Sequence, residues 1–372
     1  MQVVVLRETV EGERRVAIVP ETVAALTAVG CSIAVETGAG RHAFVRDEDL
    51  AARGASVETD RTHLLQSADA VLSVQPLPVG DIAYLAAGST VVSFLQPWAH
   101  RDAVRALAAR SVTSFSLDLV PRISRAQSMD ALSSQALVAG YRAVLLAAAA
   151  APRMFPLFMT AAGTVAPAKV LVLGAGVAGL QAIATSRRLG AVVTAYDVRA
   201  AAADEVRSLG AMFLDLGLDS QEGAGGYARV QSEEFLARQR EVIGEHVARS
   251  DVVITAAAVP GRPAPLLVSA DMVQAMRPGG VVVDLGAEAG GAERGGNCEL
   301  TRLGEVVDVD GVTILGPRNP ASAHPLHASA LYARNAANLL TLLIRDGQLD
   351  PDWDDEVVAG SCVTKDGEVL KT

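Results

Sequence analysis

The sequence predicts an α/β protein made of two doubly wound domains, the first of them discontinuous. Apolar, strand-like runs alternate with segments of helical period along almost the whole chain. At 372 residues the chain exceeds one typical domain and suits two. In its middle, the run VLVLGAGVAGLQAIATSRRLGAVVTAYDVR at 170–199 joins strand, glycine turn, helix and second strand in a single unit.

In the first third, strands are expected at 3–6, 32–36, 70–74, 90–94 and 112–116, with helices at 21–28, 47–53 and 101–109. An Ala-rich helix at 135–151, ended by Pro152, bridges the domains. The central domain continues after 170–199 with strands at 212–214, 252–256, 281–285 and 312–315 and helices at 233–248 and 270–276. The polar, glycine-rich stretch at 216–232 has no period and reads either as a functional lid or as a disordered surface loop. A long helix follows Pro325 to about 345, and 357–370 reads as a hairpin around Lys365-Asp366-Gly367. Chains that leave one such domain often return a last helix to the first. The expected division is therefore 1–133 with 324–372, around a nucleotide-binding domain at 134–323, the two joined by long helices.

Half the residues are apolar, enough for two cores, and the net charge of −10 has no basic cluster within it. That balance argues against nucleic acid and against an anionic membrane surface. Cys31, Cys298 and Cys362 are too scattered for a disulfide framework or a zinc site, which fits a reducing cytoplasm. The start, MQVVVLRE, enters a strand directly and shows no signal peptide. The longest strongly apolar stretch, 143–151, is about half the roughly 20 residues that a membrane-spanning helix needs. No direct membrane insertion is expected.

The 170–199 run carries the chemistry. Gly174, Gly176 and Gly179 supply G-x-G-x-x-G: the first for a tight turn, the second for close approach of a pyrophosphate, the third for helix packing against the strand. Gly179 alone could equally be ordinary helix packing. With Ala175 and Val177 these residues bring the N-terminus of a helix, and its unpaired N–H groups, towards phosphates. The second strand ends at Asp197, followed by Val198 and Arg199; a carboxylate there accepts from both hydroxyls of an adenosine ribose and repels a 2′-phosphate. NAD(H) is the expected cofactor, in a Rossmann-like domain, although Arg199 pulls the other way.

A second constellation lies in PRISRAQSMDALSSQ at 121–135, between a strand and the bridging helix. Arg122, Gln127, Asp130 and Ser133 offer a cation, an amide, a carboxylate and a hydroxyl within a short span; Asp130 or Ser133 would also serve simply as a helix cap. The six histidines are scattered, and His324 and His327 lack an acidic or cysteine partner in register, so no metal site is expected. Lysine is sparse. Hydride chemistry without an evident proton carrier suggests a reaction in which no substrate proton moves.

RETVEGERRVAIVPE, PRISRAQSMDALSSQ, MTAAGTVAPAKVLVLGAGVAGLQAIATSRRLGAVVTAYDVR, GGYA, PGRPAPLLV and GGNCEL together resemble the NAD(H)-binding domain I, or alpha subunit, of proton-translocating NAD(P) transhydrogenase. That family shares its fold with alanine dehydrogenase. The resemblance implies that Arg122, Gln127, Asp130 and Ser133 surround the nicotinamide, with Gln127 nearest a second nucleotide, and that Tyr227 rides on a loop closing over NAD(H). Where alanine dehydrogenases carry a substrate lysine and histidine after two strands of the first domain, this chain aligns Ser73 or Gln75, and Gln96. Their pyruvate-binding arginine persists as Arg15, which here either binds substrate or only holds the N-terminal loop. An insertion at 292–294 and the sequence RNPASAH at 318–324 depart from the family pattern beside the expected nucleotide cleft.

The implied function is the NAD(H)-binding subunit of a transhydrogenase. It passes hydride from NADH to NADP⁺ held on a partner subunit and is coupled to proton movement in a membrane-spanning partner. A homodimer, cytoplasmic and peripheral to the inner membrane through those partners, is expected. Two rivals stand beside it: a self-sufficient dehydrogenase of the alanine dehydrogenase type, and a nucleotide-binding regulatory protein without turnover.

Overall fold

The computed structural model describes residues 1–215, 233–259, 261–290 and 296–371. The expectations for 216–232, for Tyr227 and for the insertion at 292–294 lie outside the described residues. The chain folds as two compact units, Met1–Gln135 with Ala321–Thr372, and Ala136–Pro320. Each is built around a largely parallel sheet with helices on its faces, as the alternating sequence pattern requires.

The sheet of the first unit runs Glu368–Val369, Cys362–Lys365, Thr113–Ser116, Thr90–Ser93, Ala70–Leu72, Gln2–Val5, Ser32–Glu36, Ser56–Glu58. Strand order reverses at Gln2–Val5, which pairs in parallel with Ser32–Glu36 on one side and Ala70–Leu72 on the other. Only the two C-terminal strands are antiparallel. Side chains alternate across this sheet into two cores: Val3 and Val5 join Leu26, Tyr332 and Leu339, while Val4 and Leu6 join Leu64, Leu85 and Leu107. Each such side chain contributes about 1.5–3 kcal/mol when fully buried.

The sheet of the second unit runs Met212–Phe213, Val192–Tyr196, Lys169–Leu173, Val252–Thr255, Val281–Asp284, Val312–Leu315, Val306–Val309. Its first five strands reproduce the doubly wound order, with the reversal at Lys169–Leu173. Val170 and Val172 pack with Ala182 and Ile183; Leu171 and Leu173 face the opposite core with Ile243 and Val247. Both sheets therefore have a topological switch point, and at both the functional groups described below stand just beyond the strand ends.

Several elements differ from the sequence expectation. The strand Ser56–Glu58 and helix Arg61–Ser67 fall in a stretch too short and polar to show a period. The hairpin of Phe158–Thr160 and Gly163–Val165, and the antiparallel edge strand Val306–Val309, escape for the same reason. Residues expected to open the final hairpin instead form helix Glu356–Ser361, because Asp355 caps it by accepting from Val357 N at 2.7 Å and Val358 N at 3.4 Å. The hairpin proper is Cys362–Lys365 with Glu368–Val369, turned by Asp366 and Gly367 at positive φ. The long helix ends at Leu342 rather than near 345, because Ile344–Arg345 pairs with Gln348–Leu349.

The bridging helix is Ala131–Ala150, starting four residues before the expectation and belonging to the first unit through Gln135 and to the second from Ala136. It is 20 residues long, and its length and composition would suit a membrane crossing, which the shorter apolar stretch at 143–151 did not reveal. Here its Ala143, Val144 and Ala147 are buried in the core of the second unit. Pro152, just past its last turn, cannot continue it.

Candidate functional site

The glycine turn of the second unit follows strand Lys169–Leu173 and opens helix Val177–Arg188. Gly174 has φ +98, and a Cβ on it would lie 2.9 Å from Ala256 C and Ala257 N, so the next strand end permits only glycine. A Cβ on Gly179 would collide with the Gly174 carbonyl. Gly176 is the opposite case: nothing lies within 4 Å of where its Cβ would stand. The first-turn N–H groups of the helix, beginning at half-exposed Val177, need acceptors from outside the helix. Ala175 N donates instead to Asp197 Oδ2 at 2.8 Å. Gly140 lets helix Ala131–Ala150 approach Ala178, where a Cβ would meet the Ala178 carbonyl. This open space beside a positive helix end fits the pyrophosphate of a dinucleotide.

Asp197 stands immediately beyond strand Val192–Tyr196 with its side chain 8% exposed. Its Oδ1 accepts from Arg199 N and Arg199 Nε, both at 2.9 Å, and its Oδ2 accepts from Arg199 Nη2 at 3.1 Å. Arg199 Nη2 also reaches the Ala175 carbonyl at 3.2 Å. Behind Asp197, buried Tyr196 accepts from Gln239 Nε2 at 3.0 Å, tying helix Glu233–Arg249 to this strand end. Burial, with the Asp197 charge adding to it, pushes the Tyr196 phenol up to about 12.

A buried knot that sequence reasoning missed fixes the neighbouring strand ends. Asp284, fully buried at the end of Val281–Asp284, accepts from Thr255 Oγ1 at 2.7 Å, Gly286 N at 2.8 Å, Cys298 N at 2.9 Å and Asn297 N at 3.2 Å. Asn297 then donates to the Ala257 and Pro265 carbonyls at 2.8 Å and accepts from Ala257 N at 3.1 Å. The knot holds the Ala256–Ala257 backbone against Gly174. Its only signal in the sequence was an acid ending a Val-rich strand and an Asn in GGNCEL.

In the first unit, Arg122 and Gln127 are exposed, the latter on the 3-10 helix Ser124–Met129. Asp130 and Ser133 meet: Asp130 accepts from Ser133 N at 2.8 Å and Ser133 Oγ at 2.6 Å, capping helix Ala131–Ala150. The short helix is anchored at both ends of its length. Arg125 pairs with Asp355 through two 2.8 Å bonds, and Asn335 and Asn338 donate to the Ser128 carbonyl at 2.8 and 3.0 Å. Gln127 thus projects from a fixed backbone.

At the switch point of this unit lies a buried charged cluster. Arg15 donates from Nε and Nη2 to Glu13 at 2.8 and 2.7 Å, and from Nη1 to Gln135 Oε1 at 2.9 Å. Glu13 also accepts from Gln75 Nε2 at 2.7 Å and Ser322 Oγ at 3.1 Å. Glu8 accepts from Val74 N at 2.6 Å and Gln75 N at 3.3 Å. Of the two readings of Arg15, this geometry gives it a structural partner set that holds the N-terminal loop. Gln96, left-handed at φ +42, donates its N–H to Asp118 at 2.9 Å. Among the described residues no group of His, Cys, Asp and Glu could hold a metal ion.

Both halves of the chain match known family models: the alanine dehydrogenase/PNT N-terminal domain over residues 4–139 and its C-terminal domain over 143–372. The chain is 44% identical over 380 residues to an NAD(P) transhydrogenase subunit alpha chain of Rhodospirillum rubrum, covering all of this chain and 98% of that one. It superposes on a transhydrogenase from Sinorhizobium meliloti with TM-score 0.86 at 40% identity, covering 100% and 99% of the two chains. Alanine dehydrogenase of Mycobacterium tuberculosis is more distant, 32% identical over 79% of this chain and 75% of that one. With both of its domains matched, and full-length likeness to transhydrogenase alpha subunits, the chain belongs to the alanine dehydrogenase/PNT family.

Proposed function

We propose that this protein is the NAD(H)-binding subunit of a proton-translocating transhydrogenase, delivering hydride from NADH to NADP⁺ held by a partner subunit. The observation that carries this reading is the make-up of the strand ends in the first unit. An amino-acid dehydrogenase needs a proton carrier there, yet the side chains are Gln75 and Gln96, and the Arg15 guanidinium is bound by Glu13 and Gln135 rather than open to a substrate carboxylate. Neither amide can act as acid or base.

The nicotinamide supplies the hydride chemistry when the nucleotide is bound. The chain's own part is positioning. The turn at Gly174, Ala175, Gly176, Val177 and Gly179 receives the pyrophosphate, and Asp197 with Val198 selects the ribose of NAD(H) against a 2′-phosphate. Arg122, Gln127, Asp130 and Ser133 orient the nicotinamide, and Tyr227 is assigned to the closing loop by resemblance alone. Partners supply the NADP(H) site and the membrane passage, which places the subunit at the cytoplasmic face. The hairpin Phe158–Thr160 with Gly163–Val165 is exposed along both strands, Met159 to 76%, and is proposed to pack against a second copy in a homodimer.

The test is anaerobic mixing of the protein and NADH with the purified partner subunits and NADP⁺. Transfer that needs both components, with tighter binding of NADH than NADPH and no alanine-dependent reduction of NAD⁺ by the isolated protein, is the expected result. Alanine oxidation by the protein alone would establish the dehydrogenase reading instead.

A further inference from the structure

Four donors fill the Asp197 carboxylate, and they are of two kinds. Two are backbone N–H groups, of Ala175 and Arg199, at 2.8 and 2.9 Å; these belong to the frame of the glycine turn and the strand end. The other two are Nε and Nη2 of Arg199, at 2.9 and 3.1 Å, one on each oxygen. A carboxylate has about four acceptor positions, so this one is saturated by the chain itself. A ribose presents two vicinal hydroxyls, and to donate to both oxygens it must take the two positions that the guanidinium holds. The backbone bonds can stay, because they do not lie on the same donors.

We propose that Arg199 is a resident stand-in for the ribose diol: it holds the Asp197 carboxylate in its binding orientation and is exchanged for the adenosine hydroxyls when the dinucleotide docks. The inference rests on the NAD(H) reading above and assigns to Arg199 a competing role where the sequence suggested a direct contact with the cofactor. The geometry allows the exchange. Asp197 is 8% exposed and fixed by two backbone donors, whereas the Arg199 side chain is 26% exposed and its bond to the Ala175 carbonyl is long, at 3.2 Å. The displaced guanidinium keeps its charge at the rim of the site, where it offsets the pyrophosphate and Asp197 charges. Arg199 thus sets affinity through two opposed effects, a local competition at the carboxylate and a favourable field beyond it.

The two effects separate in Arg199→Lys, which keeps the charge and gives up the planar two-pronged grip. Calorimetric titration of the full chain with NADH and with reduced nicotinamide mononucleotide, which lacks the adenosine, is the measurement. Arg199→Lys binds NADH about two- to fivefold more tightly than the wild type, the span expected from weakening one partly exposed ion pair, and binds the mononucleotide unchanged. Arg199→Met, which also loses the charge, binds both nucleotides less tightly than Arg199→Lys. NADH binding by Arg199→Lys equal to or weaker than wild type overturns the inference while leaving the NAD(H) reading intact, as does an equal gain for the mononucleotide. Failure of the wild type to bind NADH overturns both. The melting temperature of each variant, matched to wild type, shows that the change is local.

Discussion

Arg15 grips Glu13 side-on, Nε to Oε1 at 2.8 Å and Nη2 to Oε2 at 2.7 Å, with both side chains buried beside the strand-order reversal of the first unit. A buried pair of this kind gains little over apolar packing, but breaking it leaves an uncompensated charge. Arg15→Met is therefore expected to destabilise the protein by about 3–5 kcal/mol. Arg15→Met combined with Glu13→Gln should recover a large part of that loss. Urea denaturation of the single and double variants checks both, and a cost near zero for the single variant would show that Arg15 is not a structural residue.

The same cluster predicts a pH dependence. Burial pushes the Glu8 carboxyl up to about 7, against the Val74 N–H bond and with the Glu13 charge adding to the rise. Burial would also raise Glu13, but the bonds and charge of Arg15 bring it down to about 2. The folded protein holds the Glu8 proton more tightly than the unfolded chain, so the stability it contributes is complete below pH 4.5 and is lost as pH rises through 7. Glu13 acts in the opposite sense, its contribution being present above pH 4.5 and lost as pH falls towards 2. Glu8→Gln should flatten the stability profile between pH 4.5 and 7, removing a fall of about 3 kcal/mol at most. An unchanged slope in denaturation curves across that range would contradict the assignment.

How much of this was legible in the sequence depends on what each residue signals locally. The apolar strands and the glycine turn declare themselves, since a buried parallel strand must be apolar and only glycine fits at Gly174 and Gly179. The stretch RETVEGERR reads as a solvated charged loop; its burial follows from tertiary pairing of Glu8, Glu13 and Arg15 with Gln75, Gln135 and Ser322, distant in sequence. Asp130 and Ser133 illustrate a real ambiguity: the cap and the ligand readings use the same atoms, and the cap is what the hydrogen bonds display. At Asp197 the strand end and the acid were legible, whereas the return of Arg199 onto its carboxylate depends on a side-chain rotamer that no spacing encodes.

The glycines give a discriminating pair of variants. Gly176→Ala places its methyl in open space, so the protein should fold with an unchanged melting temperature and lose NADH affinity because the methyl stands where the pyrophosphate approaches. Gly179→Ala drives a Cβ into the Gly174 carbonyl and should cost about 1–3 kcal/mol or more in stability. Thermal melts and NADH titration of both separate the cofactor role of one from the packing role of the other. Equal destabilisation would mean that Gly176 is a packing residue as well.

Gln127 decides between positioning and mere exposure. Its side chain is exposed, yet it extends from a 3-10 helix pinned through Arg125 to Asp355 and through the Ser128 carbonyl to Asn335 and Asn338. A primary amide donates and accepts at once, which suits holding a carboxamide or bridging to a second nucleotide, and it cannot itself carry a proton. Gln127→Asn keeps both functions and draws the amide back by one methylene. NADH affinity should stay within about twofold of wild type, because the adenosine and pyrophosphate contacts lie elsewhere, while hydride transfer to NADP⁺ in the reconstituted complex falls by about tenfold or more, since the reacting geometry alone is altered. Stopped-flow transfer rates measured beside equilibrium titration distinguish the outcomes: a wild-type rate at unchanged affinity removes Gln127 from the site, and a loss of affinity equal to the loss of rate makes it an ordinary binding contact.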